Sequence, residues 1–156
     1  VSIQRAEGIA VKRLLILPVL ALLFACASPA PLTAERVVNS LKTQGLPIAN
    51  IQTFDADSDP NKLLGRPSQY VAKANFDDSR LKAPGSTALN TGGSVEVFAN
   101  TDDLNRRKEY LAKLGQGLPM FVEYHSVAGL ALLRLSKNLT PDQAAEYERA
   151  LKKVVK

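Results

Sequence analysis

Residues 120–135 read Met-Phe-Val-Glu-Tyr-His-Ser-Val-Ala-Gly-Leu-Ala-Leu-Leu-Arg-Leu. Two runs of this stretch, 120–127 and 130–135, are rich in aliphatic and aromatic side chains, and Gly129 lies between them. This pattern predicts a β-hairpin that turns within residues 126–129. Because two strands joined by a short turn pair antiparallel, the hairpin favours an antiparallel or mixed sheet.

Three helices are predicted on either side of this hairpin. The clearest one follows Thr140, because Pro141 occupies the first helical position and Gln143 completes a capping box. The other two are predicted at residues 34–44, between an N-cap at Thr33 and a stop at Gly45, and after an N-cap at Thr101, with a stop at Gly115.

Three further strands complete the predicted sheet. In one of them Tyr70 is expected to share a face with Phe76, and Lys73 to point to the opposite face. The element order α-β-β-β-α-β-β-α predicts one α+β domain with about five strands and three helices on one face of the sheet. These strands are predicted at residues 48–54, 69–76 and 94–99.

The N-terminal part of the chain has the pattern of an export signal. Lys12 and Arg13 precede the apolar residues 14–25, a run too short to span a bilayer comfortably, and the single cysteine, Cys26, follows directly. Residues 23–26, Leu-Phe-Ala-Cys, resemble the lipobox of bacterial lipoproteins, with Phe24 in place of the usual small residue. The resemblance implies that the Cys26 thiol is lipidated and becomes the mature N-terminus. The alternative is an ordinary signal peptide, or an uncleaved anchor, with an incidental cysteine.

The chain is accordingly divided into a lipoprotein signal peptide at residues 1–25, a lipidated tether at 26–32 and one domain at 33–156. Val11 also fits a signal start, so residues 1–10 are an upstream extension under this hypothesis, and a start at Val1 or Val11 stays open. The tether reaches about 20 Å when extended, which keeps the domain close to a membrane. Diacylglyceryl and acyl chains such as palmitate are expected to anchor the protein in the cell membrane or outer membrane.

Composition narrows the function classes. Removal of residues 1–25 takes three basic residues and one acidic residue from totals of 20 and 15, which leaves a net charge of +3. The short basic groups at 106–108 and 152–156 lack interleaved aromatics, so no nucleic-acid partner is expected. One cysteine and one histidine make a zinc site improbable, and no cofactor motif is recognised.

The loop at residues 55–66 has a calcium-like beginning. Its acidic and amide side chains alternate as in the first half of an EF-hand loop: Asp55, Asp57, Asp59 and Asn61. Pro60 then occupies the position of the required glycine, and Arg66 replaces the final glutamate. The favoured interpretation is a turn in which the acids accept hydrogen bonds from their own backbone, and no metal site is predicted.

The same loop carries a second resemblance. Residues 59–67, Asp-Pro-Asn-Lys-Leu-Leu-Gly-Arg-Pro, together with Gly-Ser-Val-Glu-Val-Phe at 93–98 and Leu-Thr-Pro at 139–141, resemble an uncharacterised family of small bacterial membrane lipoproteins and secreted proteins. The resemblance covers most of residues 34–155 and implies no particular activity. A ligand-binding hypothesis groups Asp59, Asn61, Arg66, Tyr70 and Lys73 around an anionic or carbonyl ligand. The favoured alternative is that Arg66 pairs with Asp59 or Asp57 and braces the loop.

Few residues suggest catalysis. Ser79 and Lys82 match the S-x-x-K spacing of penicillin-recognising enzymes, but the accompanying motifs of that class are absent. His125 has no recognisable nucleophile motif to serve. Glu96 and Glu123 could pair as glycosidase carboxylates, yet their alternation with apolar residues favours a solvated sheet face.

The sequence therefore predicts a non-catalytic binding or interaction module at the bacterial cell envelope. Its partner is the membrane through the lipid chains, together with an envelope protein or small ligand that the sequence does not identify. The alternative is a small envelope hydrolase. A third possibility, a role in assembly, would be indicated by an apolar surface patch or a long unpaired sheet edge.

Overall fold

The structure, a computed structural model, describes residues 31–82 and 88–155. These residues form the α+β domain with an antiparallel sheet of five strands that the sequence predicts. The helices are α1 (Ala34–Thr43), α2 (Ala88–Thr91), α3 (Thr101–Gly117) and α4 (Pro141–Val154), with a 3-10 turn at Pro119–Phe121. The strands are β1 (Ile48–Thr53), β2 (Ala72–Asp78), β3 (Gly92–Val97), β4 (Glu123–Ala128) and β5 (Ala131–Ser136).

The strands lie in the order β1-β2-β3-β5-β4, and every neighbouring pair is antiparallel. β4 and β5 form the predicted hairpin, with Ala128 opposite Ala131. The turn consists of Gly129 and Leu130 alone, and β4 extends to Ala128, one residue beyond the predicted strand end. The predicted start of this strand at Met120 is wrong, because a 3-10 turn occupies Pro119–Phe121 and β4 begins only at Glu123. Gly129 has a φ of 51°, a left-handed conformation that glycine adopts without a side-chain penalty.

The first face of the sheet is covered by α1 and α4. Residues of both helices pack against alternate strand residues in one apolar cluster, in which Phe76 and Tyr147 stack with ring centroids 5.6 Å apart. Val95, Val97, Leu133 and Leu135 are among the strand residues that this face buries. Alternation in the strands therefore sets which residues enter the main core.

The second face is the opposite side of the sheet, which carries Lys73, Glu96 and Arg134. α3 packs against it, because Leu104 and Leu111 join Leu132 in a second, smaller apolar cluster. The prediction that all helices lie on one face is wrong. The sequence pattern did not reveal that Leu132 and Phe98 point away from α1 and α4 and so offer α3 an apolar surface of its own.

Three cap predictions can be compared with the structure. Thr33 accepts a hydrogen bond from the backbone of Arg36 at the start of α1, and Thr140 forms the complete capping box of α4. The predicted cap of α3 at Thr101 is wrong. Asn100 caps this helix by accepting from the amide of Asp103 at 2.9 Å, and the helix continues past Gly115 to its end at Gly117.

The segment before β2 also departs from expectation. Tyr70 lies ahead of the strand and packs on the second face at the edge of the Phe98 ring, whereas Phe76 is on the first face. Tyr70 and Val71 precede β2, with a bend at Val71, so the alternation of the strand does not extend back to Tyr70. Residues 77–93, which lie between two predicted strands, contain the end of β2, the short helix α2 and the start of β3. Residues 83–87 lie outside the described part of the chain.

Candidate functional site

Asp59 is the centre of the loop that joins β1 to β2, and its side chain is completely buried. Its carboxylate accepts hydrogen bonds from Lys73 Nζ at 2.7 Å and from the Tyr70 hydroxyl at 2.6 Å. The backbone amides of Leu63, Leu64 and Asn61 donate to the same carboxylate at 2.9, 3.1 and 3.2 Å. Five donors thus surround one buried charge.

These contacts set the protonation states of the cluster. Burial by itself would raise the pKa of Asp59, but the hydrogen bonds from Lys73, Tyr70 and the amides outweigh it and hold that pKa well below its usual range. Burial and the adjoining Asp59 carboxylate raise the pKa of Tyr70. Lys73 lies 5.1 Å from the Phe54 ring centroid, a cation–π distance. The cluster is therefore an ionised, internally satisfied anchor for the loop.

Four of the five predicted ligand residues come together in this cluster. Asn61 joins the others through its side-chain amide, which donates to the Tyr70 hydroxyl at 3.2 Å. Arg66 does not join them. It is exposed, and within the described residues it forms no ion pair with Asp59 or Asp57. The predicted brace by Arg66 is wrong, because Lys73 from β2 supplies the cation instead.

Asp55, the first acidic residue of the loop, accepts hydrogen bonds from the backbone of its own loop, as the turn interpretation predicts. The Asp55 side chain accepts from the backbone amides of Asp57 and Ser58, at 3.1 and 2.7 Å. Asp59 likewise accepts from three amides of its own loop. Over residues 31–82 and 88–155, no group of three or more His, Cys, Asp or Glu side chains has a metal-binding arrangement.

A chain of ion pairs lies across the second face. Glu96 accepts from Arg107 of α3 at 2.9 Å through both oxygens, and from Arg134 of β5 at 2.8 Å. Arg134 also donates to both oxygens of Glu123, at 2.8 and 2.7 Å. His125 lies 3.2 Å from the same Glu123 carboxylate. The solvated face expected around Glu96 and Glu123 is thus a buried charge network.

Burial alone would raise the pKa of Glu96, but the hydrogen bond from Arg107 and the positive charges of Arg134 and Arg107 lower it overall. In the same way, His125 and Arg134 outweigh burial and lower the pKa of Glu123. One sequence signal could have revealed the network. Arg107 is three residues after Leu104 and four before Leu111, so it lies on the buried stripe of α3.

The catalytic candidates are separated from one another. His125 contacts Glu123, and Ser79 and Lys82 line a different, open cavity of about 560 Å³ beside β1 and β2. Asp77 also lines this cavity, but its carboxylate is already bonded to Asn50 at 2.7 Å. Neither His125 nor Glu96 has a hydroxyl nucleophile within hydrogen-bonding distance in the described residues.

An exposed apolar segment leads into β4. Residues 118–122, Leu-Pro-Met-Phe-Val, connect α3 to β4, and four of them are exposed large apolar side chains. Their exposed fractions are 46% for Leu118, 73% for Met120, 40% for Phe121 and 47% for Val122. β4 itself is an edge strand of the sheet. The segment and the edge strand together form the contact edge, defined as residues 118–128.

No family model, curated protein or solved structure matches this chain. None of the described helices is both long enough and apolar enough to cross a bilayer. Cys26, the predicted lipidation site, lies outside the described residues.

Proposed function

We propose that this protein is a membrane-anchored bacterial lipoprotein, in the resembled family of small lipoproteins and secreted proteins, whose α+β domain is an interaction module of the cell envelope. The anchoring part of the proposal rests on the sequence, namely the basic and apolar residues 12–25 that end at Cys26. The interaction part rests on the contact edge. An exposed apolar segment continuous with an open sheet edge is typical of a surface that binds another protein.

The residues considered for a hydrolase have other tasks. Glu96 and Glu123 are each bound to Arg134, and His125 is bound to Glu123. Glu96 is also bound to Arg107 and so connects the sheet to α3. The interaction hypothesis is favoured because four of the six exposed large apolar side chains of the described surface lie together in residues 118–122.

Metabolic labelling with palmitate tests the anchoring. The wild-type chain should incorporate label into the membrane fraction, and Cys26→Ala should lose it, because no other cysteine is present. Globomycin should cause the precursor to accumulate. A wild-type chain that carries no lipid label would refute the anchoring half of the proposal.

Photo-crosslinking in intact cells tests the interaction. A photoreactive residue in place of Met120 should give a discrete adduct, whereas the same residue in place of the exposed Lys42 of α1 should not. Both positions are accessible, so accessibility alone would label them equally. Equal labelling, or labelling at neither position, would refute the interaction half.

A further inference from the structure

The two edges of the sheet differ in their protection. The ladder between β1 and β2 shifts register between Ala49 and Gln52, and Asn50 there has a φ of 47°. Such a bulge bends an edge and hinders pairing with another strand. β4 pairs with β5 through all six residues without a shift, and its sequence contains no lysine or proline. The β4 edge therefore lacks the lysine, the proline and the bulge that commonly hinder strand addition, although it carries the charged Glu123.

The register of the hairpin identifies the free backbone groups of β4. Ala128 and Ala131 flank a two-residue turn and so form a hydrogen-bonded pair. Hydrogen-bonded and non-hydrogen-bonded residue pairs alternate along an antiparallel ladder. The backbone N–H and C=O groups of Glu123, His125 and Val127, which are in non-hydrogen-bonded pairs with β5, therefore point away from β5. No other described residue bonds to these outward groups. A strand added here would find donors and acceptors already aligned.

We infer that the β4 edge binds a second copy of this chain, in antiparallel pairing about a two-fold axis at Tyr124. The inference rests on the proposed interaction function and names the partner of the same surface. A closed two-fold pair uses one patch twice, so the patch must be complementary to itself. The β4 sequence meets that requirement.

Charge complementarity selects the register. With Tyr124 opposite Tyr124 of the second copy, Glu123 of each chain faces His125 of the other. A carboxylate opposite an imidazole is favourable, and the outward backbone groups of these two residues then meet. A register centred on His125 would instead place His125 against itself and Glu123 against Val127. The first register extends the Arg134–Glu123–His125 network across the interface.

Apolar complementarity supports the same register. Val122 is nearly half exposed and adopts an extended conformation directly before β4. In the paired state it faces Ser126 of the second copy, and Phe121 approaches Val127 there. Association therefore removes from water two of the apolar side chains that the single domain leaves exposed, Phe121 and Val122.

The chemistry of the contact edge makes lipid a less suitable occupant. The outward N–H and C=O groups of Glu123, His125 and Val127 need hydrogen-bond partners, which acyl chains do not offer and a second strand does.

Disulfide trapping in the full-length chain tests the register. In the inferred pair Tyr124 is opposite itself at a non-hydrogen-bonded position, where Cα atoms are about 4.5 Å apart. That separation suits a disulfide. Tyr124→Cys should form a covalent dimer on mild oxidation, while Lys152→Cys, on the exposed surface of α4, should remain monomeric. The wild-type chain controls for Cys26.

A second cysteine variant covers the case in which Tyr124→Cys does not fold. Val122→Cys combined with Ser126→Cys should also give a covalent dimer, because these positions face each other twice. The two cysteines cannot join within one chain, because positions four apart in an extended strand are separated by about 13 Å. If every folded cysteine variant stays monomeric, the inference is refuted.

Sedimentation of the detergent-extracted lipoprotein provides the complementary measurement. Wild type should sediment as a dimer, and Val122→Lys should be monomeric, because it places a lysine at the centre of the apolar contact. Val71→Lys is the matched control. Val71 precedes β2 and is exposed to a similar extent, and its substitution should leave the dimer intact. A monomeric wild type overturns the inference. If a different protein is crosslinked at position 120 in that case, the proposed interaction function still holds.

Discussion

The two faces of the sheet are buried by different chemistry. On the first face, α1 and α4 cover a continuous apolar cluster that includes Leu133 and Tyr147. On the second face, α3 covers a smaller apolar cluster together with the ion pairs of Glu96 and Arg134. An apolar core tolerates small shifts in packing, whereas a buried charge requires each partner to remain in place. The second face should therefore depend more on single residues and on pH.

The largest effect is expected from removing the charge that links two buried carboxylates. Arg134→Met would leave Glu96 with Arg107 alone and Glu123 with His125 alone. Loss of one partner from a buried ion pair costs about 3–5 kcal/mol. Urea titration of the variant should show a decrease of this size in the free energy of unfolding.

Lys152→Met is the control for Arg134→Met. It removes an exposed pair with Glu148 on α4 and should cost at most about 1 kcal/mol. If the two variants are equally stable, the second face does not depend on its charge network, and the contrast between the faces is lost.

Neighbouring leucines of β5 compare the two faces directly. Leu133 points to the first face and Leu132 to the second, and both are completely buried. Each substitution by alanine should cost about 2–5 kcal/mol, with the larger loss at Leu133. Leu133 belongs to the larger cluster, whereas the smaller cluster of Leu132 is bordered by the partly buried Leu63, Leu64 and Val127, which can move into the space. A larger loss of stability for Leu132→Ala than for Leu133→Ala would contradict the expectation that the second face relaxes more easily around a cavity.

Acid should weaken both faces, and the second face more. On the first face Asp78, bound to Arg80 and Tyr147, has a lowered pKa, whereas three such carboxylates belong to the second face. The folded-state pKa values of Asp59, Glu96 and Glu123 lie below the ordinary values of 3.8 for aspartate and 4.5 for glutamate. The unfolded chain therefore binds protons first as the pH falls, so stability is full above about pH 5 and decreases below it. Circular dichroism during urea unfolding at pH 7, 5, 4 and 3 would measure this decrease.

Glu123→Gln should reduce the acid-dependent part of the loss, because one lowered pKa is removed. Leu132→Ala is the matched control. It lowers stability on the same face but retains every carboxylate, so its decrease between pH 5 and pH 3 should equal that of wild type. A Glu123→Gln variant with an unchanged acid dependence would assign the effect to other carboxylates.

The first face was more predictable from sequence than the second. Alternation placed Val95 and Val97 in the core and Glu96 opposite to them, as the structure has it. The same alternation suggested a solvated Glu96, since a charged strand residue is usually exposed. Its burial depends on Arg107 and Arg134, which are distant in sequence, and local patterns do not reveal such pairs.

The candidate site shows the same division. The turn bonds of Asp55 are local and were predicted, whereas the pairing of Asp59 with Lys73 spans fourteen residues and was assigned to Arg66. The contact edge was not predicted, because the strand order β3-β5-β4, which leaves β4 at the edge, is a non-local property. Sequence thus identified the five strands and two of the three helix caps, but not which charges meet.

The smallest predicted effects concern the helix caps, and they compare the helices of the two faces. Asn100→Ala should destabilise α3 on the second face, and Thr140→Ala should destabilise α4 on the first, each by about 1 kcal/mol. Both side chains accept a bond from a backbone amide in the first turn, at 2.9 and 3.3 Å respectively. Thr101→Ala should cost less than about 0.5 kcal/mol, because Thr101 is exposed and is not the cap. Thermal unfolding would separate these values. A larger loss for Thr101→Ala than for Asn100→Ala would support the cap at Thr101 that the sequence suggested, and it would shift the start of α3.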